Sequence, residues 1–340
     1  MPPLSRRAVI AGLAALPLAR PALAAPTKLR MLLNSGWSGA NAWFVVAEDK
    51  GYFRDEGLEV EFTAGQGAYK AAPRMTAEGF DLGYGDINSL IEVAAARPTA
   101  APTGIYMMFN QSPSVIGVAA DGPIRTPRDL TAKRIGAHDK DVAAETFPPY
   151  ARATGLDPAS ITPVIRDASM ADLVKAMLAG ETDAVFGYST TQTAAAMTLG
   201  LDTKVLRFLR YDAVLPDFYG SALMASPTLL KNRPDAARRV VRAINRAVAD
   251  TLRDPQAAIA AVTKRDPSLN PNVELTRLTG TIANEMSHPE GRRLGTGDAR
   301  LTRSIKTMVE TKKLQRTPKT RAIFDRRYLP ARAERPTLSR

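Results

Sequence analysis

The sequence predicts an α/β protein of two lobes, each built on a mostly parallel sheet, joined by a hinge in which the chain crosses twice. Three observations carry the prediction. Short β-like runs alternate with helical stretches from Leu29 to Ala225, and such alternation forms parallel sheets covered by helices. The loops at residues 34–41, 64–68, 85–88 and 110–112 are rich in Gly, Asn, Ser and Gln, as suits strand ends that hold a ligand. The pattern restarts near Val115 and returns near Gly220. That divides the chain into residues 28–117 as the first part of lobe 1, 118–212 as lobe 2, and 213–325 as the return to lobe 1 with C-terminal helices.

Each element has its own warrant. Leu29–Leu33 is an apolar run broken by Asn34-Ser35-Gly36. Ala42–Lys50 is helical in composition and stops at Gly51, a residue suited to the left-handed turn that ends a helix. Leu58–Phe62 alternates apolar and charged residues, which reads as a strand with one buried face. Further strands are expected at 81–84, 105–109, 134–137, 164–166 and 183–186. The stretches 204–209 and 220–225 are expected to bring the chain back to lobe 1. From Pro227 onward Ala, Arg and Leu recur on repeated faces, as in helices.

Residues 1–25 read as an export signal: Arg6-Arg7, an apolar run Ala8–Leu18, then Ala22-Leu23-Ala24 before the cleavage point. The paired arginines also suit the twin-arginine route. The apolar run is shorter than the ~20 residues that span a bilayer. None of the 340 residues is cysteine, which removes disulfides, thiolate metal sites, iron–sulfur clusters and the lipid-modified cysteine of an anchored lipoprotein. The expectation is a soluble periplasmic protein. The formal charge of +12 is unevenly placed, because residues 291–340 carry 15 Lys and Arg against 4 Asp and Glu. The proline-interrupted stretch 326–340 reads as a solvated basic tail, able to touch anionic lipid heads. Nucleic acid is not an expected partner of an exported chain.

Residues Ala47-Glu48-Asp49-Lys50-Gly51-Tyr52-Phe53-Arg54-Asp55-Glu56-Gly57-Leu58-Glu59-Val60 resemble the opening of a known family. These are the ABC-importer solute-binding proteins for sulfonates, nitrate, taurine and the pyrimidine precursor of thiamine. Ala77–Gly83, Pro127–Leu130 before Lys133–Gly136, and Leu178–Val185 agree in order and spacing. The resemblance spans roughly residues 28–255. It implies a type II periplasmic binding protein fold with one small-molecule ligand between the lobes. It further implies an ABC permease as partner, no cofactor, no metal and no enzymatic activity. A monomer is expected.

The resemblance also carries a candidate pocket. The first loop brings Trp37, Ser38 and Asn41, with Trp37 either stacking on a flat ligand or packing at the helix base. Gln66, Asp86 and Asn88 match positions that face the cleft, and Asn110 follows the fourth strand. Asp86 could receive a ligand amino group or cap the following helix; both readings stand. In lobe 2 the loop His138-Asp139-Lys140-Asp141, with Glu145 beyond it, departs from the sulfonate and nitrate binders. Those expose backbone N–H groups to an anion there. Two carboxylates repel an oxyanion by ~1 kcal/mol per close like charge even in water-like surroundings. The loop therefore favours a neutral, zwitterionic or amine-bearing ligand. Tyr188, Ser189 and Tyr219 complete the set with hydroxyls and ring faces.

The expected function is capture of a small polar or heteroaromatic solute. A periplasmic ligand-sensing partner would share these features, and an oxyanion binder is the lesser alternative. Catalytic patterns are weak. Gly36-Trp37-Ser38-Gly39 lacks the last glycine of a nucleophile elbow, and His138 and His288 are the only histidines. No dinucleotide fingerprint or phosphate loop is present. The family's fungal pyrimidine synthase branch relies on cysteines that this chain does not have.

Overall fold

The computed structural model describes residues 25–289, 293–297 and 299–338. All of the expected export signal but Ala25 lies outside the described residues. The ten strands are β1 (Thr27–Leu32), β2 (Leu58–Thr63), β3 (Leu82–Asp86), β4 (Thr103–Met107), β5 (Ser114–Ala119), β6 (Arg134–Ala137), β7 (Thr162–Ile165), β8 (Ala184–Tyr188), β9 (Leu206–Arg210) and β10 (Ser221–Ala225). They form two five-stranded sheets, β2-β1-β3-β10-β4 and β7-β6-β8-β5-β9. In the first, β1 pairs parallel with β2 and β3, while β10 runs antiparallel to β3 and β4. In the second, β6 pairs parallel with β7 and β8, while β5 opposes β8 and β9. Each sheet thus has four strands in one direction and one reversed. The reversed strands, β5 and β10, both enter directly from the other lobe, without the crossover helix that parallel neighbours need.

Two boundaries differ from the sequence reading, the first because residues 114–117 belong to lobe 2, where β5 pairs with β8 and β9. The run at 204–209 does not return to lobe 1, because β9 pairs with β5 in the second sheet. The chain crosses only afterwards, at residues 211–220, and the earlier crossing lies at 108–113. The two crossings are bound to each other. The N–H groups of Met108 and Phe109 donate to the Ser221 carbonyl (3.0 and 2.9 Å), and Gly220 donates to Phe109 (3.1 Å). A Cβ on Gly220 would stand 2.7 Å from Pro113 Cδ, closer than any real contact. Glycine is what lets the crossings touch.

The helices follow from the spacing of apolar residues. Helix Ala42–Asp49 buries Ala42 through Ala47 against the first sheet and gives way to Gly51, whose φ is 73°. Helix Pro234–Arg253 buries Ala237, Val240, Val241, Ile244 and Val248 on one face. Its outer arginines pair with acids: Arg238 with Asp235, Arg242 with Glu56 and Arg253 with Asp250, each at 2.6 Å. Two later helices tie the lobes together. Helix Pro271–Asn284 packs on Ser189–Thr198 of lobe 2, and Arg300–Thr311 packs on both Ile87–Ala96 and Phe147–Thr154. Among the described residues no helix is long and apolar enough to cross a membrane.

The stretch 326–338 is not a solvated tail. Tyr328 is buried, and Leu329 and Leu338 pack on the lobe 1 core. Thr337 bridges to Arg293, and the Asn245 side chain donates to the Glu334 carbonyl at 2.9 Å. Backbone acceptors and three apolar side chains outweigh the proline-rich, basic composition. Tyr328→Ala should therefore lower the unfolding free energy by about 3 kcal/mol, as for other buried aromatics, measured by chemical denaturation. A change under ~0.5 kcal/mol, ordinary for a surface site, would return the segment to solvent.

Candidate functional site

Polar groups collect where the two crossings and the two sheets meet. Asp86 ends β3 and caps the helix Ile87–Ala96: its Oδ1 accepts from the N–H groups of Asn88 (2.9 Å) and Ser89 (3.3 Å). Its other oxygen, Oδ2, is buried with no hydrogen-bond partner among the described residues. The register of β10 on β3 sets Ser221 beside Asp86, and that of β5 on β8 sets Ser114 beside Tyr188. Asn88 donates to the Tyr219 carbonyl at 3.1 Å, which leaves its Oδ1 buried and unpartnered.

Glu285 closes the group from below. It follows helix Pro271–Asn284, and its Oε1 accepts from Thr190 of lobe 2 at 2.6 Å. Its Oε2 is buried with no hydrogen-bond partner among the described residues, as are the hydroxyls of Ser114 and Tyr188, while Thr281 lies beside Glu285 and Ser221 beside Tyr84. Burial pushes the Asp86 carboxyl up to about 7, against the two backbone N–H groups that favour its charge. Burial likewise pushes Glu285 up to about 7, opposed by the Thr190 and Thr281 hydroxyls. Tyr188 is raised well above its ordinary value by burial and then by the charges of Asp86 and Glu285. Its hydroxyl therefore lies within electrostatic reach of both. Trp43 stands edge-on to Tyr84 and Phe109 at 6.2 and 6.4 Å, an aromatic wall on the lobe 1 side.

The structure brings together Asp86, Asn88, Tyr188 and Tyr219 from the sequence-derived set, with Ser189 following Tyr188 at a buried helix start. Asn110 is buried on the first crossing and accepts from the His288 N–H at 3.0 Å. The first loop is held elsewhere. Trp37 packs edge-on to Phe62 (5.3 Å) beneath Arg265 (5.2 Å). The Asn41 side chain accepts from Ser38 N–H and donates to the Gly36 carbonyl, both at 3.0 Å. Gly39 donates to Glu274 of a C-terminal helix at 2.7 Å. Gln66 is exposed.

The acids of the lobe 2 loop are already partnered. Asp139 pairs with Lys70 of lobe 1 at 3.0 Å, and Asp141 caps its own helix. Glu145 pairs with Lys140 and Lys312, both at 2.9 Å. The His138 ring nitrogen bonds the Ala168 carbonyl at 2.8 Å. The repulsion expected from this loop is therefore largely neutralised, and the carboxylates of consequence are Asp86 and Glu285. Sequence reading missed Tyr84, Ser114, Thr190, Ser221, Thr281 and Glu285. Only Tyr84 carried a signal, as the tyrosine two residues before Asp86 on a buried strand.

A cavity of about 340 Å³ opens at the edge of this seam, lined by Tyr69, Lys70, Ser89 and Glu92 of lobe 1 and Lys140 of lobe 2. No cluster of acidic or histidine side chains able to hold a metal occurs among the described residues.

The family model described as NMT1/THI5 like matches residues 40–258. The chain belongs to that family. No curated protein matches it by sequence. Among solved structures it is similar to the alkanesulfonate-binding protein SsuA from Xanthomonas axonopodis pv. citri bound to MOPS. That likeness has 19% identity over 88% of this chain and 99% of that one, with a TM-score of 0.66. The periplasmic aliphatic sulphonate binding protein SsuA from Escherichia coli is similar at 19% identity, 88% and 92% coverage and a TM-score of 0.66. The desulfurization enzyme DSZB, as a variant in complex with biphenyl-2-sulfinic acid, is similar at 16% identity, 90% and 99% coverage and a TM-score of 0.57. At these identities the likeness is one of fold. The NMT1/THI5-like chain has the periplasmic binding protein fold.

The two raised carboxyls make stability depend on pH. Between about 4 and 7 the folded protein holds protons at Asp86 and Glu285 that the unfolded chain releases. Stability therefore falls as pH rises through that window. For Asp86, raised from 3.8 to about 7, the full fall is on the order of 4 kcal/mol. His138, raised by Asp141, shifts stability in the same direction, so the readout is the difference from variants. Asp86→Asn and Glu285→Gln should each flatten the fall in urea unfolding between pH 5 and 8. Variant profiles parallel to the wild type would put these carboxyls in water.

Proposed function

We propose that the chain is a solute-binding protein that captures one small ligand between its lobes in the periplasm and delivers it to an ABC-type permease. The observation that carries this reading is the convergence of unpartnered buried oxygens on one seam. Lobe 1 supplies Asp86 and Asn88, lobe 2 supplies Ser114 and Tyr188, and Glu285 joins them. Buried polar atoms without partners are costly, at about 1–3 kcal/mol each. A ligand rich in N–H donors, with a protonated amine or amidine, would satisfy them and stabilise both carboxylates.

A simple oxyanion fits this chemistry poorly. At 4 Å a sulfonate would meet each ionised carboxylate with a repulsion of about 4 kcal/mol at an effective dielectric of 20. SsuA is described as a sulfonate binder, so the proposal is that this chain keeps the fold and differs in ligand charge. The wall of Trp43, Tyr84 and Phe109 suits a flat heteroaromatic ring. Capture without turnover is supported by the family and by the connection of the two lobes at a paired crossing, a hinge able to close over a ligand. A monomer is the proposed working state.

Isothermal titration with aminopyrimidines and small diamines, against taurine and nitrate, tests this reading. The amine-bearing set should bind one to one, taking up no chemistry, and should displace protons from the protein at pH 6.5. Glu285→Gln should weaken that binding about tenfold or more. Tighter binding of nitrate or taurine, or release of a product, would contradict it.

A further inference from the structure

The arginines of this protein are mostly neutralised in place. Arg233, Arg238, Arg242, Arg246 and Arg253 each lie within 2.6–3.3 Å of a carboxylate. Others have no acid partner among the described residues, and four of these, Arg293, Arg326, Arg332 and Arg335, lie in or against the docked C-terminal segment. Arg293 donates through Nη1 to the carbonyls of Arg332 (2.6 Å) and Arg335 (3.1 Å). Arg326 donates to the Gly297 carbonyl. Among the described residues, Asp325 pairs with Arg327 at 2.5 Å, and Glu334 accepts from the Ala331 N–H at 3.0 Å.

Arg335 is the centre of this group. Its Nε and Nη1 are buried and have no hydrogen-bond partner among the described residues. It is close enough to the buried Tyr106 to act on that hydroxyl electrostatically, and Tyr106 itself donates to Asn245 at 3.1 Å. Asn245 in turn donates to the Glu334 carbonyl at 2.9 Å, so the backbone beside Arg335 is pinned to lobe 1. Burial lowers the Arg335 pKa, and the charges of Arg293, Arg332 and Arg326 add to that. A half-buried guanidinium with idle donors, crowded by three like charges, is unfavourable by itself. One phosphate-type anion would relieve both conditions, because guanidinium groups hold its oxygens with strong charge-assisted hydrogen bonds.

We propose that Arg335, flanked by Arg293, Arg326 and Arg332, forms a binding site for a phosphate-type oxyanion on the C-terminal segment of lobe 1. The site shares no residue with the seam around Asp86 and Glu285. Its ligand chemistry is a tetrahedral phosphate-type oxyanion group, whether free phosphate or the phosphodiester of a lipid head.

Thermal unfolding in inorganic phosphate or pyrophosphate, against sodium chloride at equal ionic strength, tests the proposal. Matching ionic strength removes general screening. Phosphate should raise the midpoint by a few degrees, and Arg335→Met, which keeps the apolar stem, should lose that rise. Arg332→Gln, at an exposed position, should weaken phosphate binding about tenfold and serves if Arg335→Met folds poorly. Sedimentation with phosphatidylglycerol vesicles, against phosphatidylcholine alone, identifies the source. Phosphate stabilisation with Arg335-dependent vesicle binding assigns a lipid phosphate, and phosphate stabilisation without vesicle binding assigns a free anion. Equal midpoints in phosphate and chloride, or variants that respond as the wild type does, would overturn the site.

Discussion

Two carboxyl groups held out of water at the meeting of the lobes set the terms for the rest of the molecule. Asp86 uses one oxygen to start a helix and presents the other to the seam. Glu285 uses one oxygen to hold Thr190 of lobe 2 and keeps the other free. Neither has a basic side chain within bonding distance, and burial raises both to about 7. A desolvated carboxyl is tolerated when it is protonated, or when something cationic or rich in donors arrives. On the proposed function, that constraint would select the class of ligand and couple its arrival to the two lobes.

The rest of the closed arrangement is built around this centre. Lys312 reaches from the C-terminal region to Glu92 of lobe 1 at 2.5 Å and to Glu145 of lobe 2 at 2.9 Å. Lys70 and Asp139 add a second pair across the seam at 3.0 Å. These partly exposed pairs contribute modestly; the larger tie between the lobes is apolar, through Leu301, Ile305 and Met308, which share one cluster with both lobes. The hinge itself is narrow because Gly220 lets one crossing pass against Pro113 of the other. Each crossing leads into the reversed strand of its new sheet, which places Ser221 beside Asp86 and Ser114 beside Tyr188. Topology and site are therefore one fact seen at two scales.

Much of this was legible in the residues. Alternating runs located nine of the strands closely, Gly51 stopped its helix, and Asp86 was marked both as a cap and as a ligand group. The structure shows the cap on one oxygen and leaves the other buried without a hydrogen-bond partner among the described residues. What sequence could not show depends on pairing across long separations. Glu285 lies 95 residues from Thr190, on a stretch that reads only as helical and polar. The acidic lobe 2 loop looked repulsive because a sequence lists charges without their partners, and Lys70 and Lys312 supply those partners from afar. The basic C-terminal stretch misled for the converse reason: the buried Tyr328 and the half-buried Leu329 and Leu338 suffice to dock it among many arginines.

The most direct test is a carbon-detected NMR titration of the Asp86 and Glu285 carboxyl groups. Without ligand both should titrate near 7, and a bound amine-bearing ligand should draw them below the ordinary carboxylate range. Two carboxyls that titrate near 4 with and without ligand would contradict the account.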